Sequence, residues 1–433
     1  MVTTPRRPIR IAIVGTGIAG NVVAHRLNRD YDITVFEAAN HVGGHTNTID
    51  VEEEGGSVPV DTGFIVFNDR TYPNFVSLLD ELGQSYRPSV MSFSVRNQGT
   101  GLEYCGSSIN GLFAQRRNVL STGFHRMIRD ILRFNTDAVL ATERLPADAT
   151  VGDYLAEGGY SNRFRDDYLV PMTAAIWSAE PGAVSDMPLH FLVRFFRNHG
   201  LLQLSDRPQW RVITGGSREY VRKLVAGHRH CIRLSCPVES ISRLGNQVQV
   251  KARGCEPQRF DYVFVACHSD QALKILADPT AVERSVLGAI RYQRNEAVLH
   301  TDASLMPTAR RAWAAWNYRV PAAGHEAVSV TYNMNILQGL QSQRDYLVTL
   351  NGSSGIEPSR ILETVTYEHP VFTTETMAAQ RRHAEINSGN RTFFCGAYWR
   401  NGFHEDGVVS ALDALKHFNE ELRRGELHLR RAG

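Results

Sequence analysis

Gly15, Gly17 and Gly20 stand in the spacing G-x-G-x-x-G, and Glu37 follows 17 residues after the last of them. That set is suited to holding a dinucleotide. The first glycine permits a tight turn, the second lets backbone approach a pyrophosphate, and the third packs helix against strand. Amides at the start of the helix, at Ile18 and Ala19, then face the phosphate. Glu37 and Ala38 close the second strand, where a carboxylate accepts hydrogen bonds from a ribose and repels a 2′-phosphate. Gly43 and Gly44 come six residues after Glu37, followed by His45 and Thr46. A glycine pair leaves room for backbone to pass against a diphosphate. NAD sites have no regular need of it after the ribose acid, whereas FAD sites do. FAD is therefore the expected cofactor. It is expected to be non-covalent, because Cys395 belongs to a strand rather than to a loop beside the ring.

A second group of candidates lies in "GAYWRNGFHEDG", residues 396–407. Tyr398, His404 and Glu405 are residue types that move protons, and a histidine of near-neutral pKa does so most readily. His404 and Glu405 equally suit a structural role, holding the loop by hydrogen bonds. His268 is open between catalysis and helix capping, and Tyr292 and Glu296, placed by a strand pattern, are candidates to face the substrate. Adjacent side chains such as His404, Glu405 and Asp406 do not converge on one ion, so no metal site is expected.

The elements that must position these groups follow from periodicity. Residues 9–14, 18–27 and 33–36 read as strand, helix and strand, a βαβ opening. Residues 58–67 read as one strand and 72–82 as a helix. Residues 110–205 look helical and amphipathic. Short strands return from Cys231 ("IRLSCPVESISR", "QVQVKA", "RFDYVFVACH"), longer ones run through 291–350, and "RTFFCG" leads to a final helix from about Val408 to Arg423. The fold class expected is α/β: a Rossmann-like FAD-binding domain of residues 1–90, 206–290 and 386–433. An α+β substrate domain of residues 91–205 and 291–385 interleaves with it.

Composition narrows the function classes. The net charge of +2 gives nucleic-acid binding no electrostatic support. Of 47 basic residues only Lys223, Lys251, Lys274 and Lys416 are lysines. The six cysteines form no CxxC pair, which fits a reduced, cytoplasmic chain. The N-terminus does not read as a signal peptide, and no run of ~20 apolar residues suggests a membrane span. Residues 113–135 combine Phe124, Met127, Ile128, Ile131 and Leu132 with Arg116, Arg117, Arg126, Arg129 and Arg133. Together with the apolar and basic stretch 189–204, they read either as core-packing helices or as helices lying on an anionic membrane surface.

The N-terminal motifs are joined by "VDTGFIVFNDRTYPNF" (60–75), "WRVITGGSREYV" (210–221), "CPVESI" (236–241), "DYVFVACHSDQALKIL" (261–276) and "FFCGAYWRNGFHEDGVVSAL" (393–412). On these blocks the chain resembles the flavin-containing amine oxidase and phytoene desaturase superfamily, of the two-dinucleotide-binding, glutathione-reductase type. Within it, the chain looks like the branch of FAD/NAD-binding oxidoreductases associated with bacterial fatty-acid modification. The resemblance implies that Val238 reads the adenine edge and that Asp61, Thr62 and Gly63 lie beside the flavin. It also implies that Gly407 and Val408 begin a helix aimed at the flavin's pyrimidine edge, and that Cys267 and Gly396 complete the cofactor set. Two features depart from the pattern. Gly396 is followed by Ala397 where an acid is common, and no lysine is well placed to sit near flavin N5, which counts against ordinary amine oxidation. The resemblance therefore implies desaturation of a fatty acyl group, methylated and phospholipid-linked among the options. An acyl-modifying methyltransferase would be a partner and the inner face of the cell membrane a working site. A double-bond isomerase, an amine oxidase and a lipid-delivery protein are the alternatives.

Overall fold

The computed structural model describes residues 8–146, 148–177, 180–322 and 329–432, with side chains through residue 424. Strands Arg10–Val14, Asp32–Phe36, Ile232–Arg233, Tyr262–Val265 and Thr392–Phe394 form one parallel sheet, in the spatial order 232–233, 32–36, 10–14, 262–265, 392–394. Both faces are buried, which is why these strands read as unbroken apolar runs. Ile11, Ile13, Ile33 and Val35 enter one core, with helices Ile18–Leu27 and Arg218–Val225 and the final helix. Ala12, Val14, Phe36 and Val265 enter the other, covered by the antiparallel strands Val238–Leu244, Gln247–Ala252 and Gln258–Phe260.

A second sheet of seven strands carries the rest. Its order is Ile361–Pro370, Tyr292–His300, Leu347–Leu350, Ser329–Asn333, Trp316–Val320, Phe93–Asn97 and Leu102–Cys105. It is antiparallel except where Trp316–Val320 runs parallel to Phe93–Asn97. Helices Thr122–Ala141, Val170–Trp177 and Leu189–Asn198 pack into its core.

Four sequence expectations change. The run 58–67 is two strands, Gly56–Asp61 and Val66–Asn68, because the chain turns at Thr62–Ile65, where Gly63 presses on the His45 carbonyl. The final helix begins four residues early, at His404, and extends to Ala432. The helix Leu189–Asn198 is no surface element: Leu189, Phe191, Leu192, Val193, Phe195 and Phe196 are all buried. On Thr122–Ala141 the core face is Phe124, Met127, Phe134 and Ala138, while Leu132 is exposed. The start of the expected strand at 326–328 lies outside the described residues, as does the N-terminal 1–7 stretch.

Several histidines are buried in this framework, and that sets a pH dependence. Burial lowers His199, His228 and His300 to about 4. On His300, Nδ1 accepts from the Asp302 amide and Nε2 meets Thr349 Oγ1, so the neutral ring is the bonded one. Folded values below the unfolded ~6.5 mean stability is present above that pH and lost as pH falls toward 4. Asp61 and Asp406, raised to about 6 by burial, act in the opposite direction over the same range. Because the histidines lowered by burial outnumber the acids raised by it, Tm should fall steadily from pH 7 to 5, and His300→Gln should flatten that slope. An unchanged slope in the variant would contradict the assignment.

Candidate active site

A cavity of about 910 Å³ runs from the parallel sheet to the seven-stranded one. Its dinucleotide end is built by three loops. The turn after the first strand carries Gly15, Thr16 and Gly17, and a Cβ placed on Gly17 would meet no atom within 4 Å. Gly17 therefore presents an open side to the cavity. Gly44, at φ +56°, crosses it so closely that a Cβ there would lie 3.2 Å from Gly17 Cα. Glu37 is pinned from behind: its carboxylate accepts from the Thr16 amide and hydroxyl and from the Ala39 amide. That bonding also ties the glycine turn to the second strand. Val238, Glu239 and Arg253 line the far end of the same lobe.

Gly15, Gly17, Ile18, Ala19, Glu37, Ala38, Gly43, Gly44, His45, Thr62, Gly63, Val238, Cys267 and Gly396 all line the cavity. Gly20, Thr46, Gly407 and Val408 stand behind its wall. Gly20 and Gly407 let elements close up: a Cβ would fall 2.0 Å from the Gly15 carbonyl oxygen and 2.5 Å from Ile18 Cγ2 respectively. Thr46 spends its hydroxyl on Tyr220 and His404, and Val408 is buried in the helix core.

Two of the three catalytic candidates line the cavity, Tyr398 and His404. Tyr398 carries a buried hydroxyl with no hydrogen-bond partner among the described residues. His404 stacks on Phe64 at 3.5 Å between ring centroids, and its Nε2 meets Tyr220 Oη and Thr46 Oγ1. Burial lowers it to about 3, so it is a neutral strut and not a carrier of protons near pH 7. Glu405 is turned away. Its carboxylate accepts from the amides of Asn74 and Phe75 and from the Asn74 side chain, capping helix Pro73–Glu81. The catalytic expectation for Glu405 is thereby corrected.

His45 is also deeper than its sequence position suggested. Its ring stacks on Tyr367 at 5.0 Å, with His268 at 6.0 Å and His369 at 5.4 Å. Burial and the neighbouring histidines lower its pKa, and Nε2 has no hydrogen-bond partner among the described residues. His268 caps helix Ser269–Ile275 through backbone only, and its ring stacks on Tyr292 at 4.3 Å. Glu296 bonds Asn351 through its amide and does not line the cavity. Lys274 does reach the wall, beside Gln271 and Ile275 on that short helix, at the dinucleotide end.

The other end of the cavity was legible from the sequence only in Tyr292. Its floor is the second sheet: His369, Tyr292, Leu350, Tyr332 and Trp316 come from five successive strands. Four strand steps span about 19 Å. Trp177, Trp210, Phe372 and Phe403 complete an aromatic wall.

A family model of flavin-containing amine oxidoreductases matches residues 18–300, more than half of the chain. The chain belongs to that family. Three solved structures share the fold. Cyclohexylamine oxidase from Brevibacterium oxydans is 17% identical, covering 96% of this chain and 100% of its own, with TM-score 0.65. A putative protoporphyrinogen oxidase from Exiguobacterium sp. is 17% identical, with 96% and 99% coverage and TM-score 0.67. A CLA-producing fatty acid isomerase from P. acnes is 15% identical, with 95% and 98% coverage and TM-score 0.67. Identities this low establish fold alone. No curated protein matches at the level of sequence. This family member is an FAD-dependent oxidoreductase with a Rossmann-like FAD-binding domain. Its cavity suits the cofactor: an open Gly17 for diphosphate, a fixed Glu37 for ribose, and unpartnered polar atoms on His45 and Tyr398. Among the described residues no helix is long and apolar enough to cross a membrane.

Proposed function

We propose that this flavoprotein dehydrogenates an apolar lipid acyl chain. Bound FAD would supply the two-electron oxidant: the acyl chain would lose two hydrogens, one as hydride and one as a proton, and the reduced flavin would hold both. The observation that carries the reading is the substrate end itself: about 19 Å of aromatic and aliphatic floor. Of the carboxylates that line the cavity, Glu37 and Glu239 belong to the dinucleotide end, and Glu368 stands beside His369 of the floor. Glu37 follows the second strand and is bonded to the glycine turn, Glu239 is beside Val238, and Glu368 is within 3.4 Å of His268. An ammonium substrate would thus meet a carboxylate already held by His268, while a hydrocarbon chain gains from burial. Trp177 and Phe372 orient the chain and exclude water, and Tyr398 and His404 define the cavity's flavin-side wall. Anaerobic mixing of the oxidised holoprotein with acyl lipids should bleach the flavin. Bleaching by amines alone would overturn the proposal. Double-bond migration that needs pre-reduced flavin would favour an isomerase, the activity named for the P. acnes neighbour.

An acyl substrate needs a route from a bilayer, and we place that contact on residues 109–129. Ile109 and Leu120 are 80% and 88% exposed, and Arg116, Arg117, Arg126 and Arg129 are exposed around them. The turn Arg310–Ala312 packs against helix Ile109–Leu112 and adds two arginines. Residues 109–129 contain no acid, and the flanking Glu103 and Asp130 are buried and bonded. Exposed apolar tips ringed by arginine match an anionic lipid surface. The protein should therefore sediment with phosphatidylglycerol vesicles and much less with phosphatidylcholine. The double variant Ile109→Asp, Leu120→Asp should lose most of that binding while keeping its flavin. Equal sedimentation of variant and parent would remove this surface from consideration.

A further inference from the structure

His369 stands in the cavity wall with one ring nitrogen already committed. The chain of bonds that commits it starts from backbone, so each step has a defined direction. The Glu296 amide donates to Asn351 Oδ1 at 3.0 Å, which fixes the Asn351 side chain with its nitrogen on the other side. Asn351 Nδ2 then donates to Asn295 Oδ1 at 2.7 Å. Asn295 is thereby fixed with its nitrogen toward His369, and that nitrogen also reaches the Gln293 carbonyl at 3.3 Å. Asn295 Nδ2 donates to His369 Nδ1 at 2.8 Å. An amide nitrogen has no lone pair to offer, so Nδ1 must be the bare nitrogen and Nε2 must carry the hydrogen. Asn295 is fully buried, which protects the relay from water. Burial, with His268 nearby, lowers His369 to about 4 and keeps the ring neutral. The charged groups around it are few: Glu368 is its chain neighbour and faces His268, and His45 is itself held neutral.

The geometry points to His369 as a hydrogen-bond donor of fixed tautomer, presented to an acceptor atom of whatever occupies the cavity. The ring lines the cavity where it meets a smaller one bounded by Trp177, Asp186, Gln293 and Phe372. Its Nε2 bonds to no described protein group. A wall bearing N–H without a matching acceptor selects an oxygen or an aromatic nitrogen and disfavours an ammonium. A ring in this tautomer also cannot take a proton at Nε2, so His369 orients its ligand and is not a general base. Asn295 and Asn351 are positioning residues that act only through it. Two ligands offer such an acceptor, a carbonyl or carboxylate oxygen of the substrate and an edge atom of the flavin.

Nitrogen-15 spectra of the histidine-labelled holoprotein test the tautomer directly. The His369 signals, identified by their loss in His369→Gln, should show a protonated Nε2 and a bare Nδ1 at neutral pH. If that variant does not fold, the signals that move in Asn295→Asp identify them instead. There the carboxylate accepts from Nδ1–H, so the tautomer should reverse and the ring's pKa rise. A protonated Nδ1 in the parent, or no reversal in Asn295→Asp, overturns the proposal. His369→Phe then locates the acceptor. A changed visible spectrum and midpoint potential without substrate places it on the flavin. An unchanged spectrum with KM for an acyl lipid raised about tenfold, the loss of one hydrogen bond, places it on a substrate oxygen. No change in either removes the donor role. The spectroscopic result is independent of the acyl substrate proposed above, so the two readings fail separately.

Discussion

Gly44→Val is expected to yield a folded protein without flavin. Gly44 sits at φ +56°, a region closed to β-branched side chains, and its Cβ position is 3.2 Å from Gly17 Cα. Forcing valine there costs about 1–3 kcal/mol in backbone strain. Relief comes by pushing Gly17 into the space its open side faces, so damage to the fold and damage to the cofactor site are coupled. FAD affinity should fall at least about tenfold, since 1.4 kcal/mol corresponds to a factor of ten. Gly55→Val is the control. Gly55 has φ +101° in a hairpin turn with nothing within 4 Å, so it carries the strain without the site. It should lose some Tm and keep stoichiometric FAD. Full flavin in purified Gly44→Val, measured by absorbance after gel filtration, would overturn the placement of the diphosphate beside Gly17.

The contrast between Gly44 and His369 shows what a single sequence reveals. Gly15, Gly17, Glu37 and Gly44 are legible because their chemistry is local: strand, turn, helix and strand run consecutively, and periodicity alone places them. The parallel sheet was legible for the same reason, since strands buried on both faces are continuous apolar runs. The substrate floor was legible only in Tyr292. His369, Tyr292, Leu350, Tyr332 and Trp316 are adjacent only through sheet order, which no spacing encodes. His369 depends on Asn295 and Asn351, each unremarkable as a residue type in its own segment. The amphipathic pattern at 113–135 and 189–204 had two physical meanings, and packing divided them. The second stretch went to the core, and part of the first remained outside.

Glu405 carries the other large effect, and it separates a structural from a catalytic role. Helix Pro73–Glu81 begins with a proline that has no amide, and its N-cap residue Tyr72 makes no side-chain cap. The next two amides, Asn74 and Phe75, are therefore unsatisfied within the helix. Glu405 reaches them across 331 and 330 residues of sequence, at 3.1 and 2.8 Å, and takes the Asn74 side chain at 2.6 Å. A carboxylate at a helix N-terminus also meets the positive end of the helix dipole. Glu405→Ala removes the acceptor and leaves buried donors with no replacement, a loss on the order of 3 kcal/mol. The same helix supplies Phe75, which packs edge-on against Phe64 and His404, so its loosening should propagate to the His404 wall of the cavity. The expected outcome is a clear fall in Tm together with weaker FAD retention, and Glu405→Gln, which keeps one acceptor oxygen, should lie between variant and parent. A catalytic acid predicts the reverse, an unchanged Tm and full flavin with turnover lost. Thermal melts of the three holoproteins followed by flavin fluorescence decide between them.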